Sequence, residues 1–431
     1  MDQTAKWDHC LEHAELTDVG LRRLNNQDAF TVVLAGNQQL WQQRGHLFCV
    51  ADGMGAHAAG ELASKLATDT LALTYSKLLD KSPPEALLAA IADANKQIYN
   101  RGQVQDFKGM GTTATTLILL PQGALVAHVG DSRIYRLRQG RMEQLTFDHS
   151  LVWEMRAAGQ IPKDSVPDFI PKNVITRSLG PNPAVKTDLE GPFPVEQGDT
   201  FLLCTDGLSG QVSDEEMGTI VRCLPPGEAV RALIDLANLR GGPDNITAIV
   251  VHVTGPQIAE QGSHEPPPPP TPPKTQPVNP ILWIVLGVAA MGALGSLAMG
   301  ARIPALVCVV AAFVTMVFVV LQRYSEAEPK FRLDSTRPLG KGPYTASTCP
   351  INAAFAQKTS KIVEQLRTAA EEGNWAVDWP RFKAFAARGS SAHKAGNYSQ
   401  AVAEYFRAVS FMMIQLRKNR KAEADKGVLE L

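Results

Sequence analysis

Residues 281–321, ILWIVLGVAAMGALGSLAMGARIPALVCVVAAFVTMVFVVL, contain a single charged residue, Arg302. One bilayer span needs about 20 apolar residues, and this block is about twice that. Neither half has a polar face of the kind a surface helix shows. Gly300, Arg302 and Pro304 interrupt it midway, and proline disfavours one continuous helix. The block therefore reads as a helical hairpin, two transmembrane helices over 280–322 joined by a tight turn. Gly287, Gly292 and Gly295 would let the two helices approach closely. Lys274 precedes the block and Arg323, Lys330 and Arg332 follow it. That distribution suits a hairpin with both ends cytoplasmic. Just before it, GSHEPPPPPTPPKTQPVNP begins at Gly262. Proline fixes φ and removes backbone donors, so this stretch is a semi-rigid extended spacer. The chain thus divides into a front unit (1–255), a proline-rich linker (256–279), a hydrophobic segment (280–322) and a polar tail (323–431).

The front unit is a mixed α/β pattern. Short β-branched and apolar runs recur as AFTVVL, HLFCVAD, TTLILL, ALVAHVGD, TFLLCTD and NITAIVVHV, each bounded by Gly, Asp or Pro. Two long helical patterns interrupt them. One covers about 59–80, with Leu62, Leu66, Leu71 and Leu73 marking an apolar face. The other starts at Pro83-Pro84, a suitable helix start, and runs to about Gly102. Shorter helices are expected near 149–158, 213–222 and 227–239. Paired helices favour layered sheets flanked by helices over a doubly wound parallel sheet. A formal net charge of -1 and a pI near 6.8 argue against a chain that coats nucleic acid. The cysteines are scattered with no Cys-x-x-Cys pair, so they read as buried reduced thiols in a reducing compartment. The N-terminus, MDQTAKWDHCLEH, has no apolar core for a secretory signal. The expected location is the cell membrane, multi-pass, with front unit and tail in the cytoplasm.

Four of the apolar runs share one feature. HLFCVADGMG and TFLLCTDGLSG each end in Asp-Gly, at Asp52-Gly53 and Asp206-Gly207; ALVAHVGDSR ends in Asp131; and Asp244 in GGPDNITAIVV stands just before the last run. One aspartate at a strand end is ordinarily a turn residue. Four at separate strand edges suggest a shared centre. Carboxylates without His or Cys beside them suit hard cations such as Mg²⁺ or Mn²⁺, whereas zinc prefers His and Cys clusters. Two such cations a few ångström apart can bridge a water, ionise it near neutral pH and aim it at phosphorus. Arg23, in RRLNNQDAF, is the candidate clamp for the phosphate oxygens.

RLNNQDA, VADGMGAHAAGE, GMGTTATTLIL, HVGDSRIYRL, TFDHSLV, ITRSLG, LLCTDGLSG and GGPDNITAIVV occur in this order over roughly residues 15–253. Together they resemble the metal-dependent protein phosphatase family of type 2C in its bacterial form. The resemblance implies an α+β fold: a four-layer α-β-β-α sandwich of two antiparallel sheets, with the metals in a cleft at one end. It implies a serine/threonine phosphatase that acts through a dinuclear metal-bound hydroxide, without a phosphoenzyme. The cofactors would be two Mn²⁺ or Mg²⁺ ions, with a third, weaker site. Asp52 would bridge both metals and the Gly53 carbonyl would bind the second. Asp206 and Asp244 would ligate the first, and Asp131 would help hold the third. Arg23 would bind phosphate and Asp28 would support the metal waters. Asn245 would order the turn after Asp244, Thr112 and Thr113 would be supporting strand residues, and 148–181 would form a flap beside the cleft.

The chain departs from the family pattern in three places. Gln27 stands where many relatives have glutamate, Ala56 replaces a common glycine, and Met54 follows Asp-Gly where some relatives have histidine. No general-acid role is therefore carried onto His57, which leaves that proton to a metal-bound water. The competing functions are a membrane-anchored pseudophosphatase acting as a scaffold, and a hydrolase of small phosphoesters. Retention of all four aspartates speaks against the former. The spacer and tail favour protein substrates, with phosphoproteins such as membrane serine/threonine kinases as partners. The tail reads as helical after about Pro350. KAGNYSQAVAEYFRAV resembles the second half of a tetratricopeptide repeat, with Gly396, Tyr398, Ala401, Tyr405 and Ala408 in the usual spacing. An interaction module and a generic helical hairpin both remain open for it.

Overall fold

In the computed structural model, residues 10–55, 58–162, 166–167, 170–171, 173–255, 287–289, 291–293, 295–296, 298–325 and 339–429 are described. They fall into two units, Met1–Ser263 together with Arg332–Leu431, and His264–Phe331. The linker expected at 256–279 lies outside the described residues, as do Ala56 and His57.

Strand alternation builds the first unit. Its strands are β1 (Leu11–Asp18), β2 (Asp28–Val33), β3 (His46–Met54), β4 (Gly111–Thr112), β5 (Ala114–Leu120), β6 (Gly123–Val129), β7 (Arg133–Arg138), β8 (Arg141–Gln144), β9 (Asp188–Phe193), β10 (Thr200–Cys204), β11 (Ile246–Val253) and β12 (Thr345–Thr348). One sheet runs β1-β11-β10-β7-β8-β12; the other runs β2-β3-β5-β6-β9, with β4 paired to β3. The paired strands are antiparallel. Along β3, Phe48 and Val50 enter a cluster with Phe201 and Leu203 of β10 and Ile249 and Val251 of β11, which is the layer between the sheets. The alternate residues Leu47, Cys49 and Ala51 turn the other way, into a cluster with helix residues. A period of two thus gives each strand two apolar faces, as a doubly covered sandwich requires.

The helices are α1 (Gln38–Arg44), α2 (Ala59–Lys77), α3 (Pro83–Arg101), α4 (Leu151–Ala157), α5 (Asp206–Ser209), α6 (Asp214–Cys223), α7 (Pro226–Leu239), α8 (Arg302–Ser325), α9 (Ala353–Glu372), α10 (Trp379–Lys394) and α11 (Tyr398–Leu429). α2 and α3 cover one sheet, while α6 and α7 cover the other. The four layers implied by the resemblance are therefore present. α3 opens on Pro83-Pro84 as expected, and Glu85 reaches back to accept from the Ser82 amide at 3.0 Å. The buried face of α2 differs from the leucine face expected. Ala63, Ala67, Leu71 and Tyr75 are buried, whereas Leu73 is 56% exposed. Small residues at a spacing of four let this helix lie close to the sheet, and leucine content alone did not reveal that.

The C-terminal segment packs into the same unit as the sandwich. β12 extends the first sheet by pairing with β8, from Thr345↔Gln144 to Thr348↔Arg141. Leading into it, Glu190 of β9 accepts from the Lys341 and Gly342 amides at 2.8 Å and from the Tyr344 hydroxyl. α9, α10 and α11 then cover α6 and α7. Phe355, Val402, Phe406, Val409 and Met412 belong to one apolar cluster with Met217, Ile220, Val230 and Leu233. Within the helical pair α10–α11, Gly389 lies under Tyr405, where an added Cβ would come within 2.6 Å of the ring. Ala401 and Ala408 are fully buried.

In the second unit, the described residues between 287 and 298 are helical, Gly300 turns the chain at φ 73°, and α8 follows. Among the described residues no helix is long and apolar enough to cross a membrane. The pair of transmembrane helices expected over 280–322 is thus not found among the described residues. The break at Gly300 splits the apolar run, and Arg302 and Pro304 open α8.

Candidate active site

The expected site residues converge at one end of the sandwich. Asp52 lies near the end of β3, directly opposite Asp28 of β2. Asp131 follows β6, Asp206 opens α5 just after β10, and Asp244 stands just before β11. The sequence separations are large, and the antiparallel pairing brings these strand ends together. The backbone around Asp52 is held on both sides. Its amide donates to Thr113 Oγ1 at 2.8 Å, and its carbonyl accepts from the Thr112 hydroxyl and the Thr113 amide, both at 2.9 Å. Thr113 Oγ1 also meets Ser132 Oγ at 2.8 Å, which ties the Asp52 strand to the residue after Asp131. The two threonines are supporting residues, as expected.

Gly53 is required by close packing. A Cβ there would lie 2.1 Å from the Gly60 carbonyl oxygen and 2.5 Å from that of Gln27. Gln27 is itself accounted for: its side-chain amide donates to the Gly55 carbonyl at 3.2 Å, a bond that an ionised glutamate cannot make. Asn245 orders more than its own turn. Its Nδ2 donates to the Val19 and Asn25 carbonyls at 2.9 Å and its Oδ1 accepts from the Gln27 amide at 2.8 Å, so it clips the whole loop that carries Arg23. Arg23 lies against Asp244, with Nη2 2.8 Å from Oδ2, and half of its side chain is exposed.

The centre is dense in negative charge. Burial pushes the Asp28 carboxyl up to about 7, against hydrogen bonds from Thr247 and Thr205. Burial, then Asp206 and Asp148, push Asp131 up to about 8. Asp52 is held well above the usual carboxylate range by burial and by Asp28, Asp206 and Asp131, and Asp206 is raised by burial and by Asp244. Carboxylates shift in this way when they share a desolvated space in which the nearby arginines, here Arg133 and Arg23, only partly offset their charge. Three of their oxygens, Asp28 Oδ1, Asp131 Oδ1 and Asp206 Oδ1, are buried without a hydrogen-bond partner. Such orphans are costly unless a ligand meets them. Among the described residues, no three acidic, histidine or cysteine side chains close into a finished metal cage. The unmatched oxygens and the absence of soft donors nonetheless fit hard divalent cations.

Two threonines that sequence reasoning missed hold Asp28, and a third supports one of them. Asp28 Oδ2 accepts from Thr205 Oγ1 at 2.8 Å and Thr247 Oγ1 at 2.7 Å, and Thr247 Oγ1 meets Thr17 Oγ1 at 2.7 Å. Thr205 directly precedes Asp206, and Thr247 pairs with Thr17 across β1 and β11. Only the position of Thr205 next to an Asp-Gly pair could have marked it. At the flap, α4 begins at Leu151, and Val152, Ile161 and Ile170 form a small apolar cluster of their own. The far end of the flap returns to the site, where Leu179 and Thr112 exchange backbone bonds at 2.9 and 3.1 Å.

An antiparallel double sandwich whose strand ends gather buried carboxylates defines a cation-dependent hydrolase. The model of the family described as Protein phosphatase 2C matches residues 22–232. Protein phosphatase PhpP of Streptococcus pneumoniae is 36% identical over 245 residues, which are 56% of this chain and 97% of that protein. The solved serine/threonine phosphatase of S. agalactiae is 36% identical with a TM-score of 0.50, covering 56% of this chain and 99% of that one. The catalytic domain of the phosphatase PstP, solved in complex with two manganese ions, is 33% identical with a TM-score of 0.48, covering 57% and 99%. The chain belongs to the protein phosphatase 2C family.

Proposed function

We infer that this protein is a serine/threonine phosphatase that hydrolyses phosphoserine and phosphothreonine in proteins, with Mn²⁺ or Mg²⁺ as cofactors. The observation that carries this reading is the set of unmatched buried oxygens on Asp28, Asp131 and Asp206 beside Asp52. Asp52, the Gly53 carbonyl, Asp206 and Asp244 would hold the cation pair, and Asp131 would hold a third ion. When bound, the pair supplies Lewis acidity that ionises water near neutral pH and offsets charge on the phosphoryl oxygens. The chain itself provides orientation. Thr205 and Thr247 fix one oxygen of Asp28, and the other, buried without a protein partner, would accept from a water held at the centre. Arg23, held at the rim by Asp244, offers its guanidinium fork to the phosphate. The test is phosphate release from a phosphothreonine peptide. Release should depend on Mn²⁺ or Mg²⁺ and fall at least about 100-fold in Asp52→Ala and Asp206→Ala. No release by folded wild type with either metal would overturn the assignment and favour the scaffold alternative.

The apolar segment supports a second reading, that the enzyme is held at a membrane. Val288, Ile303, Leu306 and Val310 are each more than half exposed, and an exposed apolar run of this kind needs cover. Tethering there would raise the effective concentration of phosphoproteins on the same membrane, serine/threonine kinases among them. Recovery of the full chain in the soluble fraction after cell lysis, with none in washed membranes, would sink that reading.

A further inference from the structure

We propose that Arg417, on the C-terminal helix α11, is a positioning residue for the loop 19–27 that carries Arg23. The proposal rests on the functional reading above for the role of Arg23, and on geometry alone for the link itself. Arg417 Nη2 lies 2.9 Å from Asp235 Oδ1 and 3.2 Å from Asp18 Oδ2. Asp235 belongs to α7 and its side chain is wholly buried. Asp18 is the last residue of β1, at the root of the loop.

From Asp18 the contacts lead to the site in short steps. Asp18 Oδ1 accepts from the Gly20 amide at 3.0 Å and from Asn238 Nδ2 of α7 at 3.1 Å. Gly20 sits at φ 78°, so close to the turn before β11 that a Cβ would lie 2.1 Å from the Asp244 carbonyl oxygen. The next amide, Leu21, donates to the Gly242 carbonyl at 2.8 Å. Two residues further on, Arg23 pairs with Asp244. The turn that Asp18 organises is therefore wedged against the residue that the phosphate clamp leans on. A displacement of Asp18 would be felt at Gly20, which it holds and which closely approaches the Asp244 backbone.

Charge explains why Arg417 should matter to that turn. Burial chiefly lifts the Asp235 carboxyl to about 6, and Asp18 is close enough to add to this; Arg417 first, then a hydrogen bond from Ser410 and the charge of Arg231, oppose it. Without Arg417, Asp18 loses the cation that ties it to α7 and α11, and Asp235 keeps only Arg231 and the Ser410 hydroxyl. Asp18, with 19% of its side chain exposed, is freer to shift than Asp235, which is fully enclosed. Arg417 lies outside the stretch 22–232 that matches the family. The link would thus let a segment added to the phosphatase set the geometry of its phosphate clamp.

The experiment uses the full chain and compares wild type with Arg417→Ala, Arg417→Lys and Asp18→Asn. Hydrogen–deuterium exchange should rise in 19–27 for Arg417→Ala, while α2 and α3 exchange as in wild type. KM for a phosphothreonine peptide with Mn²⁺ should rise several-fold, with a smaller change in kcat. Adding Arg417→Ala to Arg23→Ala should raise KM no further, because both act through one group. Arg417→Lys should recover most of the effect. Asp18→Asn keeps the Arg417–Asp235 pair, so it should loosen the same loop even if Arg417→Ala proves too unstable to purify. Unchanged exchange in 19–27 in both Arg417→Ala and Asp18→Asn, or an additive KM effect with Arg23→Ala, would overturn the proposal. The exchange measurement needs no catalysis, so an inactive wild type would defeat the functional reading and still leave the link to be decided.

Discussion

Asp28 and Asp131 hold carboxyls near 7 and 8, where an unfolded chain would hold them near 4. In the metal-free protein the folded state therefore binds more protons than the unfolded one between these values. The sign follows: stability from these two groups is present below about 4 and is lost as pH rises through about 7 to 8. Cations compete with those protons. The rise in melting temperature on adding Mn²⁺ should accordingly be larger at pH 8 than at pH 6, which differential scanning fluorimetry can measure. An equal shift at both values would contradict the protonated state assigned to the metal-free centre. The threonines around Asp28 make a related prediction. Thr205→Val removes one of two hydroxyls on Oδ2 and keeps the shape, so activity or Mn²⁺ affinity should fall roughly 10- to 100-fold with little change in fold. Titrating activity against Mn²⁺ would show it.

Elements are joined here by close approach as much as by apolar area. α6 meets the C-terminal strand at Gly218, where a Cβ would lie 2.3 Å from Cys349 Sγ. Gly218→Ala should destabilise by about 1–3 kcal/mol through overpacking, although alanine is the better helix former. Urea denaturation would measure the loss; a stabilised variant would mean that β12 does not sit against α6 as described. Another device anchors α6 and the tail. Glu216 caps its own helix and pairs with Arg240 at 2.6 Å and with Lys358 of α9 at 2.7 Å. Although burial pushes its carboxyl up, Arg240 and Lys358 together hold it well below the usual range. The strands that sequence reasoning passed over were of one kind. β1 reads LEHAELTD and β7 reads RIYRLR, with charged residues on both faces: Glu12 and Asp18 against Glu15, and Arg136 and Arg138 against Arg133. Neither strand alternates cleanly: Arg136 pairs with Glu143, and the residues of β1 after Leu11 stay partly or fully exposed. A search for apolar runs finds the central strands and overlooks such ones.

For the whole molecule, the shared core under α6, α7 and α9–α11 predicts that the sandwich and the C-terminal helices melt together. Calorimetry of the full chain should show one transition covering both, and Arg407→Ala, which breaks the 2.7 Å pair with Glu228, should lower that single transition rather than split it. A separate early transition for the tail would refute the shared core. The repeat-like spacing of Gly396, Tyr398, Ala401, Tyr405 and Ala408 correctly located a helical pair. It gave no sign that the pair's apolar face was already occupied by α7.

The amino-acid sequence by itself indicated the acidic centre and sheets layered with helices, and its motifs carried the resemblance that implied the α+β sandwich and the phosphatase chemistry. Those depend on local signals: Asp-Gly turns after apolar strands, proline at a helix start, and residue types that choose hard cations. It also marked the interrupted apolar run at 281–321, although not what that run becomes. Only the tertiary structure decided that Asp28 is gripped by Thr205 and Thr247, that Gln27 is needed to reach Gly55, and that the tail belongs to the sandwich and reaches the Arg23 loop through Arg417. The physical reason is range. Caps and turns are set by neighbours in the chain, whereas a buried carboxylate's partners and a helix's covering face are chosen among residues up to hundreds of positions away, and no short pattern records that choice.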